Sequence, residues 1–558
     1  MNTSRRTIDR RQLMGLGLGA SSLLALSACS PDAGEADAVA ETTTPRRGGV
    51  LIYFEPQTFT TLFPPQAGFY ANGGIVNNIA DRLLYQDPET LELHPWIASE
   101  LPEVNDDATE FTFRLRPGVT YSDGSALTAA NVVKNFDLYG LGDKSRQLPK
   151  SEQISNYERG EVLNESTVRF HFAAPSPGFA QAVSTMNAGL LSDASLDFDS
   201  TGFGPGQARA LSASGPFVVD AEEIGTRVAL RVREDYDWAP PHFEHQGRAH
   251  LDGIDYVVNS EYSVRIGALV SGQADGVREI EAPDEPRLRE RGVQLHAAGT
   301  NGVDNGLNLR FRHELLRDVR VRRAIISAVD RESIMRKLFT ENYPLATGVL
   351  AETAAGYKDY AGAWAHDPEA SNRLLDEAGW TREGDAGVRS RDGRRLSLRV
   401  NTAIPQPRSR EVMSLVQQDL LRVGVDLQIN EGDYATQNLD SADLDKIQLY
   451  HSMVGRADYD VLKSQYSGEN RDTLLNLDEE SGEYGDPELE ELLGRISSEP
   501  TADLREAASW AAQDHLVENA YLLPFFEEPQ VFAFRERVRG FRTEAVARPQ
   551  FYDTWLAE

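Results

Sequence analysis

Apolar positions along this chain repeat with two different periods, and the period switches many times between the ends. Glu110-Phe111-Thr112-Phe113-Arg114-Leu115 alternates polar and apolar, as do Val168-Arg169-Phe170-His171-Phe172 and the stretch Val228 to Val232. Period two predicts strands with one buried face. Gly48-Gly49-Val50-Leu51-Ile52-Tyr53-Phe54 is a short apolar run behind two glycines and predicts a fully buried strand. Elsewhere the spacing is helical. Thr128 stands where it can cap a helix that buries Val132, Val133 and Phe136. Val321, Ile325, Ala328 and Val329 share one helical face. Asp367-Pro368-Glu369 reads as cap, first turn and first-turn acid of a helix that Gly379 ends, and Asp486-Pro487 repeats that start ahead of Leu489, Leu492, Leu493 and Ile496. A helix over 408–423 stops at Gly424, after which Val425, Leu427 and Ile429 alternate. Gln530-Val531-Phe532-Ala533-Phe534 returns to strand. The alternation predicts a mixed α/β protein, and no internal repeat is visible.

The first 47 residues follow neither pattern. Arg5, Arg6, Arg10 and Arg11 precede an apolar, small-residue stretch from Leu13 to Ala28. That stretch falls short of the roughly 20 apolar residues a membrane span needs and fits the apolar region of an export signal. It ends Leu26-Ser27-Ala28-Cys29, which resembles the bacterial lipobox, a signal cut before a cysteine whose sulfur is then acylated. Arg10-Arg11-Gln12-Leu13-Met14 also resembles a twin-arginine signal, with Asp9 where Ser or Thr is common, so both export routes stay open. Gly15, Gly17 and Gly19 have the wrong spacing for a phosphate loop and follow no strand. Residues 30–47 carry almost nothing to bury and are expected to be a disordered tether.

Composition narrows the function. At 558 residues the chain is long enough for three or four domain-sized units, and 40% hydrophobic with 26% charged residues is ordinary for a globular protein. A formal net charge of −31 argues against nucleic acid as a partner, because phosphate binding needs clustered Lys and Arg. It biases the protein only weakly toward cationic ligands. Cys29 is the sole cysteine, so no internal disulfide forms. Enzyme signatures are broken or missing. His313-Glu314-Leu315-Leu316 is followed by Arg317, where a zinc protease needs its second histidine, and no Gly-x-Ser-x-Gly elbow is present. His242, His245 and His250 crowd one segment, but their spacing matches no standard metal site and favours a surface loop.

Five blocks in order carry a resemblance. They are Asp87-Pro88-Glu89 through Trp96-Ile97-Ala98; Phe111 through Val119, continuing from Ser122-Asp123-Gly124 to Val133; Ser214-Gly215-Pro216-Phe217 followed by Tyr236-Asp237-Trp238; Leu316 through Ile325 with Ala328-Val329-Asp330-Arg331; and Leu374-Leu375-Asp376-Glu377-Ala378-Gly379-Trp380. Together they resemble the extracellular solute-binding proteins of family 5, the peptide and nickel class that serves bacterial ABC importers. The blocks themselves read as scaffold: Asp123-Gly124 as a tight turn, and Arg320, Arg322 and Arg323 as a solvated face or structural ion pairs.

The resemblance implies a two-lobed, periplasmic-binding-protein-like α/β fold with an extra domain and a hinge between the lobes. Residues 1–28 would be the signal peptide and 29–47 the lipidated cysteine and tether. Segments 48–80, 205–298 and 527–558 would build the first lobe, 81–204 the extra domain and 299–526 the second lobe. The implied protein is a monomeric, non-catalytic binder without cofactor or metal. It would take up a peptide or peptide-like solute outside the cytoplasmic membrane, to which lipid on Cys29 holds it, and pass the solute to the permease subunits. A nickel chelate or other non-peptide solute is the alternative cargo, and an exported hydrolase is the alternative from another class. Peptide binders of the family place an Asp against the ligand's ammonium in an aromatic-x-x-Asp-Tyr motif. The match here is Gly455-Arg456-Ala457-Asp458-Tyr459-Asp460, with glycine in place of the aromatic wall. Asp458 is expected either to meet an ammonium or to cap a helix near Val461, and Arg456 offers a fork to a carboxylate. Tyr459, Tyr434, Tyr450, His451 and Met453 are candidate second-lobe walls. Glu55 and Phe59, just after the first strand, are the first-lobe candidates.

Overall fold

The helix starts and stops fall where the caps stand. Thr128 Oγ1 accepts from the Asn131 N–H at 3.2 Å and opens the helix Ala129–Leu141, which buries Val132 and Phe136. Asp367 accepts from Ala370 N–H at 2.8 Å ahead of Pro368–Glu377, and Asp486 accepts from Leu489 N–H at 3.0 Å ahead of Pro487–Ser498. Gly379 and Gly424 follow their helices in the left-handed region, at φ +80° and +84°. The computed structural model describes residues 44–382, 387–403 and 406–558, so the export signal, Cys29 and the tether as far as residue 43 lie outside the described residues.

Residues 45–558 form one compact unit built around two main sheets. The first has seven strands, in the order Gln294–Gly299, Pro529–Phe534, Gly276–Arg278, Val50–Glu55, Gly253–Val258, Arg227–Val232 and Phe217–Glu223. Val50–Glu55 runs parallel to both its neighbours, while the other pairs are antiparallel. The second sheet has five strands, in the order Asp426–Asn430, Ser397–Asn401, Leu449–Gly455, Gly302–Leu309 and Leu522–Phe526. A smaller four-stranded antiparallel sheet, Glu103–Val104, Glu110–Arg114, Thr167–Phe172 and Tyr157–Asn164, packs with the helix Ala129–Leu141. Two hydrophobic cores result. One joins the small sheet to most of the seven-stranded sheet, and the other fills the five-stranded lobe and reaches Ile266, Leu288 and Val531.

The chain passes between the two large sheets by short crossings. One lies between Gly299 and Gly302, the other between Phe526 and Pro529. They are bonded to each other, because Thr300 Oγ1 donates to the Glu528 carbonyl at 3.0 Å. Gly302 allows close approach there: a Cβ on it would stand 2.0 Å from the Val454 carbonyl oxygen. Glu528 itself is buried, with Oε2 accepting from Asn305 Nδ2 at 2.9 Å.

One expectation needs correction. Arg322 does not belong to a solvated face. It is buried and donates to the carbonyls of Leu316, Arg317 and Asn519, while Arg323 donates to that of Glu518. The long helix Ala502–Glu518 ends against them, and its last carbonyls need donors. Arg320 does form an ion pair, with Asp318 at 2.6 Å.

Burial raises the Glu528 carboxyl to about 8, since its charged form loses hydration inside the hinge. An acid whose folded pKa exceeds its unfolded value stabilises the fold below the unfolded value and loses that contribution as pH rises through the folded one. The window here runs from about 4.5 to about 8. Glu528→Gln is therefore expected to raise the melting temperature at pH 8.5 and to change it little at pH 4.5, measured by circular dichroism on both proteins.

Candidate functional site

A cavity of about 420 Å³ lies where the lobes face each other. Its wall comes from the segment Pro65 to Tyr70 and the loop Glu544 to Arg548 on the seven-stranded side, from the small-sheet side at Gln86, Lys150 and Gln181, and from Met453 to Ala457 at the end of a second-lobe strand. Local sequence explains the first wall. Pro64 and Pro65 preset a tight turn ahead of the helix Tyr70–Ile79, and Asn72 Oδ1 accepts from the Thr60 N–H at 2.8 Å. Asn77 and Asn78 each donate to the Pro549 carbonyl at 2.9 Å, which pins the C-terminal loop against the same helix. Arg548 then lies over the Tyr70 ring at 4.0 Å. A larger groove of about 1070 Å³ on the second lobe adjoins the cavity and shares Met453 and Arg471 with it.

The lobes touch around this space. Gln86 Nε2 donates to the Ala457 carbonyl at 2.9 Å and accepts at Oε1 from Gln181 Nε2 at 3.0 Å. Arg471 pairs with Glu152 at 3.2 Å. Gly178 comes so close that a Cβ on it would stand 2.6 Å from an Asp460 carboxylate oxygen.

Of the residues singled out from the sequence, Arg456 and Met453 line the cavity. Asp458 is buried behind it, with both carboxylate oxygens held by Arg505 at 2.6 and 3.1 Å. Burial opposes its charge, but the guanidinium outweighs that and keeps the carboxyl below its ordinary range. Asp458 Oδ1 also accepts from the Asp460 N–H at 2.9 Å, just ahead of the helix Val461–Tyr466. Arg505 reaches Asp460 at 3.1 Å, and Asp460 meets Arg456 at 3.3 Å, so the charges alternate along a buried row. Tyr459 is half-buried with Arg505 over its ring at 5.1 Å. Tyr434 opens the helix Tyr434–Ser441. Glu55 is buried in an ion pair with Arg278 at 2.8 Å, and Phe59 is in the first hydrophobic core.

His451 is enclosed on the second-lobe sheet. Its Nε2–H donates to Asn305 Oδ1 at 2.6 Å and its Nδ1 accepts from the Ser409 hydroxyl at 2.7 Å. Burial lowers its pKa to about 3, so the ring is neutral. The row resembles a hydrolytic relay in composition, yet Ser409 Oγ already accepts from the Ala403 N–H and the ring is fully buried, which suits a tie between two strands and the start of the helix Ser409–Arg422. His245 stacks on His250, and His242 on His94; among the described residues no group of three or more His, Cys, Asp or Glu is placed to hold a metal.

Much of the cavity's other polar wall, including Tyr70, Arg82, Gln86, Lys150 and Arg548, was not singled out from the sequence. These residues sit in no shared motif and meet only because the small-sheet side and the C-terminal loop fold onto one helix.

Arg505→Leu strips the buried Asp458 of its ion-pair partner and leaves Asp460 with Arg456 alone. It is expected to cost about 3–5 kcal/mol of stability, read as a lower urea-unfolding free energy. Asp458→Asn is expected to cost less, because Arg505 keeps Asp460.

Comparison with known proteins agrees with this architecture. The family model "bacterial extracellular solute-binding proteins, family 5 Middle" matches residues 92–472. Protein XP55 of Streptomyces lividans is 26% identical over 505 residues, covering 88% of this chain and 86% of its own. The oligopeptide-binding protein OppA of Mycobacterium tuberculosis is 24% identical over 454 residues, covering 78% and 72%. Among solved structures, NikA from Brucella suis in complex with Fe(III)-EDTA superposes with a TM-score of 0.76 at 20% identity, covering 91% of this chain and all of its own. With more than half its length matched by the family model and the two-lobed architecture in place, this chain belongs to the bacterial extracellular solute-binding proteins of family 5.

Proposed function

We propose that the protein is the extracytoplasmic receptor of an ABC importer: it captures a peptide or peptide-like solute between its lobes and hands it to the permease subunits. The observation that carries this is the composition of the cavity wall. Both lobes and the small-sheet domain contribute to it, so only the closed arrangement completes the site. A solute that touches all three binds that arrangement better than any other and shifts the population toward it. The two short crossings are the places where such a motion is absorbed. Members of the family are transport-binding proteins and not catalysts, so the solute is expected to leave chemically unchanged. A metal chelate is the second reading, supported by the likeness to the Fe(III)-EDTA complex of NikA.

The anchor belongs to the same reading. Its support is the Arg-rich start, the apolar stretch and the sequence Leu26-Ser27-Ala28-Cys29. A lipid on Cys29 and a tether over 30–47 would keep a monomeric receptor beside its permease while leaving it free to turn and dock.

Native mass spectrometry of the full chain drawn from its own cell envelope is expected to show a mass excess that is lost on unfolding. Solute at a hundred times its dissociation constant adds about 2.7 kcal/mol, seen as a higher melting temperature. Protein that carries no solute and is stabilised by neither peptides nor chelates rejects the receptor reading. Cys29→Ser is expected to move the protein from the membrane pellet to the soluble fraction; retention in the pellet rejects the lipid anchor.

A further inference from the structure

The cavity between the lobes carries the opposite charge to the chain around it. Five of its lining residues are cationic, Arg82, Lys150, Arg456, Arg471 and Arg548, and two are anionic, Glu152 and Glu544, in a protein of net charge −31. The two acids are already engaged. Glu152 pairs with Arg471 at 3.2 Å. Glu544 accepts at its two oxygens from the backbone N–H groups of Arg548 at 2.8 Å and Val546 at 3.1 Å.

The cations are not matched in the same way. Arg82 is 1% exposed and Arg548 6%; Glu544 acts on both through space and Asp81 on Arg82, but neither arginine has a carboxylate within 4 Å among the described residues. Arg82 lies over the Trp96 ring at 4.5 Å and makes two long hydrogen bonds, both at 3.4 Å, to the carbonyls of Asn77 and Ala80. Arg548 donates to the carbonyls of Val546 and Gly68. In Arg82, Arg456 and Arg548 alike, the buried Nε has no hydrogen-bond partner. Arg456 has Asp460 at 3.3 Å, whereas Arg82 and Arg548 make no direct ion pair and share Glu544; a guanidinium cannot shed its proton, and a buried cation with too little counter-charge is costly. Asp458, which the motif Gly455 to Asp460 offers as a partner for a ligand's ammonium, is already committed to Arg505.

We propose that the solute supplies the negative charge this wall lacks: carboxylate groups of an acidic peptide-like ligand dock on Arg82 and Arg548, with Lys150 at the exposed mouth. This inference rests on the receptor reading and names the ligand class for it. The planar fork of each arginine suits a two-oxygen acid, and the cavity's 420 Å³ holds the acidic end of a solute while the adjoining groove takes the rest.

Trialanine in four forms tests this by calorimetry on the full chain: free, N-acetylated, C-terminally amidated and N-succinylated. Acetylation removes the ammonium and is expected to leave affinity unchanged or higher. Succinylation replaces the ammonium with a carboxylate and is expected to bind tightest, while amidation is expected to weaken binding at least about tenfold. Loss of binding on acetylation but not on amidation overturns the proposal and leaves the receptor reading intact. If no tripeptide binds, solute released by heat from protein of the native envelope is run at pH 7 over an anion exchanger. Retention supports the proposal, flow-through overturns it, and the release of no solute at all overturns the receptor reading with it. Lys150→Gln changes an exposed side chain and preserves the fold. It is expected to weaken N-succinyl-trialanine about threefold and the amide not at all. Arg548→Gln is expected to do the same more strongly, with Arg548→Lys recovering part of the loss; equal effects on acid and amide mark a purely structural role and overturn the assignment.

Discussion

The bond between Arg505 and Asp458 sets the chemistry of everything around the cleft. A charge removed from water has to be met by an opposite charge or by a full set of dipoles. On the second lobe this requirement is satisfied within the chain: Asp458 takes both ends of one guanidinium, Asp460 stands between that arginine and Arg456, and the row is closed off by the approach of Gly178. Because the row satisfies itself, its carboxylates have little left for a ligand. Across the cavity the balance tips the other way: Arg82 and Arg548 share Glu544 as the one acid of that wall, and Glu544 is already held by backbone N–H groups.

The fold that positions these groups was largely legible before any coordinates. Caps such as Thr128, Asp367 and Asp486 act over three residues of chain, and alternation in Glu110–Arg114 or Arg227–Val232 needs only a buried face to be realised. Such signals are local, so sequence carries them intact. Arg322 shows the limit. A helix with three arginines in four positions looks like a solvated face, and only the arrival of Asn519, almost two hundred residues later, makes one of them a buried cap for another helix.

The candidate site was legible only in part. Arg456 and Met453 lie next to a recognisable motif and do face the cavity. Glu55 and Phe59 were placed by the tendency of strand-end loops to face ligand, but here one pairs with Arg278 and the other joins the core. Arg82, Lys150 and Arg548 come from three distant segments, and nothing in their neighbourhoods marks them. The whole-chain charge even points the other way, since a surface rich in Asp and Glu says nothing about the few residues that line an enclosed space.

Gly178 has a consequence for how such a protein is tuned. One added carbon there would stand 2.6 Å from the Asp460 carboxylate, closer than real atoms pack, although Gly178 is no part of the cavity wall. A methyl group at that point acts as a wedge in a door: it pushes on an Asp460 carboxylate that Arg505 and Arg456 hold, without itself entering the cavity wall. Apparent affinity in this architecture is thus a product of two separable quantities, the grip of the pocket and the ease of shutting it, and natural variation at a silent glycine can adjust the second while the first stays fixed.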